Sequence, residues 1–215
     1  MDAPVKLMPR RDPYRILVSA VLSTRTQDPV TAAASARLFR RAPDPRTLAR
    51  MSPALIQKLI FPVGFYRTKA KLLPRLARML VERWHGEAPR TMPELLKLPG
   101  VGRKVANIVL SQGFGLPAIA VDTHVQRVSN RLDLVRTSRP IDTEQALMEI
   151  LPRRAWRNWN RLLVALGQTI CRPRQPLCST CPLSRLCPKR GVPSTSETTK
   201  YQGRRAKQRG KDKVE

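Results

Sequence analysis

The chain's only four cysteines fall within seventeen residues, spaced Cys171-x₆-Cys178-x₂-Cys181-x₅-Cys187. Four thiolates so close together can close around one inorganic centre, and four is the number a [4Fe–4S] cluster requires. Zinc in a Cys₄ site is the rival, since it also takes four thiolates. Structural zinc usually draws on two close ligand pairs set well apart, whereas here one close pair, Cys178 and Cys181, is flanked by single cysteines. Disulfides are the third reading, and the absence of a secretory signal together with a basic, cysteine-poor body argues against them. A second constellation is Lys104 with Asp122, eighteen residues apart. Lys104 falls in the first turn of a helix, where the positive helix end and the adjacent Arg103 both disfavour a protonated ammonium. An uncharged lysine is a nucleophile, and lysines tuned in this way form Schiff bases. Taken singly, Lys104 also reads as a phosphate contact and Asp122 as a helix N-cap.

Lys104 is presented by Leu98-Pro99-Gly100-Val101-Gly102-Arg103-Lys104, which runs directly into Val105-Ala106-Asn107-Ile108-Val109-Leu110. Two glycines around one apolar residue predict a tight hairpin between helices, because glycine reaches backbone angles closed to residues with a β-carbon. Val101 would anchor the turn in the core, leaving N–H groups at the next helix start to seat a phosphate. Gly100, Val101, Gly102 and Arg103 are therefore candidate nucleic-acid contacts. Asp122 opens Asp122-Thr123-His124-Val125, in position to start or cap a further helix.

The elements that must position these groups read as helical throughout. Apolar residues recur at helical spacing in 14–24, 71–84 and 104–112. Segments 28–40, 52–60, 92–97, 122–132, 142–151 and 155–170 complete the expected set. Ser52-Pro53 and Thr91-Met92-Pro93-Glu94 pair a capping hydroxyl with proline at or near the first helical position. No strand alternation persists, although 117–121 could be extended. The expected class is all-α.

Charge indicates the partner. Lys and Arg number 41 against 15 acidic residues, a net charge of +26. Such an excess points to a polyanion, and its spread along the chain favours nucleic acid over a membrane surface. No apolar run is long enough to span a bilayer, so a soluble intracellular protein is expected; a monomer is expected as well. Residues 188–215 carry nine basic and three acidic residues without apolar periodicity and read as a disordered basic tail. Taking its net +6 from +26 still leaves +20 on residues 1–187.

LPGVGRKVANIVL, AVDTHVQRVSNRL and the cysteine quartet, in that order, resemble the endonuclease III branch of the helix–hairpin–helix DNA glycosylases. The resemblance covers about residues 12–190. It implies a six-helix barrel over 12–117 that carries the hairpin and a smaller [4Fe–4S] cluster domain over 118–190. Residues 1–11 would pack on the cluster domain but are too short and too basic to supply all of the family's extra N-terminal helix, and a basic tail would follow over 191–215. It further implies damaged duplex DNA as partner, excision of oxidised pyrimidines and cleavage at the resulting abasic site. Lys104 takes the family's catalytic lysine position and Asp122 its aspartate position. The resemblance also places DNA across the cleft between the two domains; a cytoplasmic, nucleoid-associated protein is expected.

Further contacts are weaker. Arg172 and Arg174 lie in the loop between the first two cysteines, stiffened by Pro173 and Pro176, where a cluster would hold them toward phosphate; a solvated loop is the alternative. His124 either meets DNA or closes a local hydrogen bond. Trp156 and Trp159 read as core. Phe65-Tyr66 follows Gly64 in a turn and could wedge into the base stack or pack inward. Arg25 departs from the glutamine that bacterial relatives often carry in the segment resembling Leu22-Ser23-Thr24-Arg25-Thr26-Gln27-Asp28. That side chain would fill the gap left by a flipped base. The competing classes are a monofunctional glycosylase and a non-catalytic damage-binding protein; neither needs a lysine–aspartate pair.

Overall fold

The structure, a computed structural model, describes residues 12–192. It is all-α, with ten α-helices and no strand among the described residues. The chain repeatedly starts helices with a capping side chain followed by proline, whose fixed φ suits the first turn. Asp12 caps α1 (Pro13–Ser23) by accepting from the amides of Tyr14 and Arg15. Helix α2 spans Asp28–Arg41. Asp44 caps α3 (Pro45–Arg50) and Ser52 caps α4 (Pro53–Ile60). Helix α5 runs Tyr66–Trp84, and Thr91 caps the short α6 (Met92–Leu95). Helix α7 (Arg103–Ile108) continues as a wider π-turn over Val109–Gly113. Asp122 caps α8 (Thr123–Arg131), and α9 (Pro140–Ile150) and α10 (Arg153–Thr169) follow.

Several boundaries differ from the sequence reading. Helix α3 was not expected; its six residues are too few to show a period, although Asp44-Pro45 carries the start signal. Helix α5 begins at 66 instead of 71, because its first turn is polar and is held by tertiary contacts with no apolar period of its own. Helix α6 ends two residues early, where the hairpin begins. The stretch 117–121 is non-helical and buried from Ala118 to Val121.

The buried apolar residues fall into two clusters. One runs from Tyr14 to Ala118 and is centred on α1, which is buried on almost every side and so is apolar nearly all round. The other runs from Ile119 to Leu163, with Trp156 and Trp159 packed against it, as expected for core tryptophans. Between the clusters, Gln168 on α10 donates to the Asp28 carboxylate at 3.0 Å. The basic tail expected from 188 is packed at its start: Arg190 meets Asp133 at 2.7 Å and donates its amide to the Arg131 carbonyl. Hydrogen bonds from Arg136 and Arg190 hold the Asp133 carboxyl down at about 2. The remainder of the tail, from 193, and residues 1–11 lie outside the described residues. No described helix is long and apolar enough to cross a membrane.

Two loops of the first cluster touch backbone to backbone. A β-carbon on Gly64 would lie 2.2 Å from the Arg25 carbonyl oxygen, which is main chain and cannot swing aside. Gly64→Ala should lower stability by about 1–3 kcal/mol, as overpacking does, read as a shift of the urea midpoint with unchanged m-value.

Candidate active site and cysteine centre

The hairpin delivers Lys104 by burying its own apex. Leu98 and Val101 are buried, and Val101 donates its amide to the Leu98 carbonyl. Gly100 has φ +76, and a β-carbon there would strike Leu72. Gly102 corrects the sequence reading: at φ −96 and ψ 176 it is ordinary extended backbone, with open space where a β-carbon would stand. It serves as the N-cap of α7, and no side chain caps that end. What glycine provides at 102 is bare access to the helix start, and unusual torsion angles are needed only at Gly100.

Asp122 faces Lys104 across the boundary between the two clusters. Its Oδ1 accepts the amides of His124 and Val125, both at 2.9 Å. Its Oδ2 lies 3.9 Å from the Lys104 Nζ, with 14% of the Asp122 side chain exposed against 39% for Lys104. Cap and ion pair, alternatives for one residue in the sequence, are here divided between the two oxygens of one carboxylate.

The segment that carries Asp122 hangs from two asparagines that sequence reasoning missed. Asn107, buried on α7, donates to the Ile119 carbonyl at 3.0 Å, and Asn160 on α10 donates to the Ala120 carbonyl at 2.8 Å. Asn107 lies one turn beyond Lys104 on the apolar face, where a polar side chain signals a buried hydrogen bond.

Arg103 is committed elsewhere. Its guanidinium forms two 2.9 Å bonds to Glu144, a buried carboxylate on α9. The pair is bidentate, the strong geometry for such ions, and it matches the charge that the sequence set beside Lys104. His124 closes a local contact, its Nδ1 3.2 Å from the Arg127 guanidinium. Arg25 and Phe65 are both exposed, with the guanidinium 5.5 Å from the ring centroid, so Phe65 projects outward while Tyr66 packs on the core.

The four cysteines line one cavity beneath α8 and are all free thiols. Among the described residues no three His, Cys, Asp or Glu side chains converge on a single-ion site. Nitrogen donors reach two of the sulfurs: the Arg131 guanidinium lies 3.5 Å from Cys171 Sγ, and the Lys189 amide 3.3 Å from Cys187 Sγ. The buried Arg131 also donates to the Arg172 and Pro173 carbonyls at 2.6 and 2.7 Å, clamping the loop that carries the exposed Arg172 and Arg174. Arg127 donates to the carbonyls of Gly167 and Cys171. An arginine three residues after Val128, in the apolar register of α8, is the sequence signal for this clamp.

The profile of the HhH-GPD superfamily base excision DNA repair protein matches residues 18–153. The chain is 48% identical over 187 residues to Endonuclease III of Thermotoga maritima, covering 85% of this chain and 88% of the relative. It is 39% identical over 177 residues to Endonuclease III of Bacillus subtilis, covering 82% and 81%. A solved trapped endonuclease III–DNA covalent intermediate superposes with a TM-score of 0.81 at 39% identity, covering 87% of this chain and 88% of that one. A thermostable thymine-DNA glycosylase superposes at 0.75 with 29% identity, over 84% and 85%.

The divided carboxylate separates cap from charge. Asp122→Ala strands two helix-start amides and should cost about 1–2 kcal/mol. Asp122→Asn retains one acceptor oxygen and should stay within about 0.5 kcal/mol of the parent, since amide side chains cap nearly as well. Thermal denaturation of the two variants side by side checks the ordering.

Proposed function

The chain belongs to the endonuclease III branch of the HhH-GPD superfamily, and from that premise we propose that it excises oxidised pyrimidines from duplex DNA through Lys104 and Asp122. As a member of this branch it is a base-excision repair enzyme, a DNA glycosylase with abasic-site lyase activity. The observation that carries the residue assignment is the Lys104 Nζ standing 3.9 Å from an Asp122 oxygen, while the other oxygen is held by two amides.

The damaged nucleotide has to leave the stack before its sugar can be reached, at a cost of a few kcal/mol that is lowest for a poorly stacked lesion. The free Asp122 oxygen takes the ammonium proton or offsets positive charge developing on the sugar; both roles use the same atom. The Lys104 nitrogen bonds to C1′, the glycosidic bond breaks, and the base departs with its electron pair and gains a proton. The sugar ring opens to a Schiff base on Lys104. Loss of a C2′ proton then expels the 3′ phosphate as the C3′–O bond breaks, and water releases the lysine.

Gly100 and Gly102 leave the start of α7 open to a DNA phosphate, whose charge the helix end favours. Arg172 and Arg174 meet the backbone from the clamped loop, and Arg25 with Phe65 enters the space vacated by the lesion. His124 lies beside the site and contacts DNA only through the ring edge left by Arg127. Barrel and cluster domains divide near 117/118, with DNA against both.

Cys171, Cys178, Cys181 and Cys187 would hold a [4Fe–4S] cluster. Four free thiols around a shared cavity, without a tight three-ligand point, suit a centre that brings its own iron and sulfide between the ligands. A single zinc ion needs its sulfurs at about 2.3 Å. When bound there, the cluster would cross-link Cys171, Cys178, Cys181 and Cys187 and so brace the 172–177 loop between the first two.

Borohydride trapping on duplexes carrying an abasic site or thymine glycol tests the assignment. A covalent adduct is expected with the parent and none with Lys104→Ala; an undiminished adduct in the mutant would exclude Lys104 as the nucleophile. Gly102→Ala tests the hairpin separately. With free space around the added methyl, it should change stability by less than about 1 kcal/mol yet weaken binding to a reduced abasic-site duplex at least about tenfold, because the methyl stands where phosphate must approach.

A further inference from the structure

Lys69, in the first turn of α5, is buried to 7% exposure and has no role in the chemistry above. Lysine is seldom buried without a carboxylate partner, and none is paired with it among the described residues. Its ammonium donates to the Leu22 carbonyl at 2.8 Å, the Thr24 carbonyl at 2.6 Å and the Thr26 Oγ1 at 3.4 Å. Three donors thus meet three neutral acceptors at the C-terminal end of α1, where orphan carbonyls and the negative helix end favour a cation. Burial pulls the amine down to about 8, so it remains largely protonated at neutral pH.

The acceptors lead to the two exposed loop tips. Thr24 and Thr26 flank Arg25, which is held at φ +53. Thr26 Oγ1 also accepts the Gly64 amide at 3.1 Å and donates to the Thr24 carbonyl at 3.3 Å. Gly64 adjoins Phe65, held at φ +57, and Phe65 is the N-cap of the helix that carries Lys69. Left-handed backbone at a non-glycine residue costs about 1–2 kcal/mol and persists only where the surroundings over-determine it. Both tips therefore sit in strained conformations, side by side, and the buried ammonium with Thr26 joins their two backbones.

We propose that Lys69 is a positioning residue that holds Arg25 and Phe65 as one rigid two-pronged probe, and thereby sets how efficiently a base still in the stack is extruded. This rests on the glycosylase reading of the site. Lys69 touches neither DNA nor the reacting atoms, and it acts through the loop backbones. A lysine serving only the fold would affect every activity of the protein alike. One serving the probe matters most where a stacked base has to be displaced, and least where the base is already missing.

The test compares the full-length parent with Lys69→Met, which keeps most of the volume and loses the donors. Single-turnover excision of thymine glycol, borohydride trapping at a preformed abasic site, and fluorescence of 2-aminopurine beside the lesion are measured on the same preparations. Excision and the fluorescence rise should fall at least tenfold, with trapping within threefold of the parent. Equal losses in excision and trapping, or no loss in either, would overturn the proposal. If Lys69→Met does not fold, Thr26→Val removes the link to Gly64 while leaving both carbonyl bonds to the amine. It should show the same selective loss, at least threefold, and a parallel loss or none overturns the proposal equally. A parent that neither excises nor traps would instead fail the glycosylase reading itself.

Discussion

One carboxylate serves two masters, and the arrangement of the site depends on it. Asp122 gives one oxygen to the amides that start α8 and turns the other toward Lys104. The first role fixes the second. A carboxylate held by two backbone N–H groups cannot rotate freely, so its remaining oxygen has a defined direction. The helix start thereby becomes the rigid mount for the lysine–aspartate pair, whose members come from different hydrophobic clusters.

That mount has to be held in place across the boundary. The segment before Asp122 has no helix of its own, and its carbonyls would be left without partners in the interior. Asn107 and Asn160 supply them, one from each side, while Arg103 with Glu144 ties α7 to α9. Each link is a directional polar contact with at least one buried partner, for which losing the contact is costly. Polar contacts set the register here, and apolar packing on either side supplies the bulk of the stability.

The opposite end of α8 applies the same logic to the cysteine loop. Arg127 and Arg131, one turn apart, reach the carbonyls of the segment that begins at Cys171. Their charge is spent on backbone oxygens, leaving the exposed Arg172 and Arg174 on the loop's outer face. The net charge of +26 is thus divided between cations built into the scaffold and cations left for a polyanion. Lys69 belongs to the first group, although composition counts it with the second.

The sequence by itself determined the helical class, most helix starts, the hairpin and the cysteine quartet, and it singled out Lys104 and Asp122 as a candidate pair. These are local properties: a capping residue before proline, a period of 3.6, two glycines around a valine, and four thiols at short spacing. Helix α3 escaped because six residues cannot display a period, and the first turn of α5 because its one buried polar residue, Lys69, finds its partners far along the chain. Only the tertiary structure decided that Gly102 needs no special torsion, that Arg103 belongs to Glu144, that Phe65 points outward and that Asn107, Asn160 and Lys69 hold backbone. Each of those outcomes depends on contacts between residues up to 47 positions apart, as Lys69 with Leu22. A buried polar side chain looks the same in sequence as a solvated one, and only its partners, brought together by folding, tell them apart.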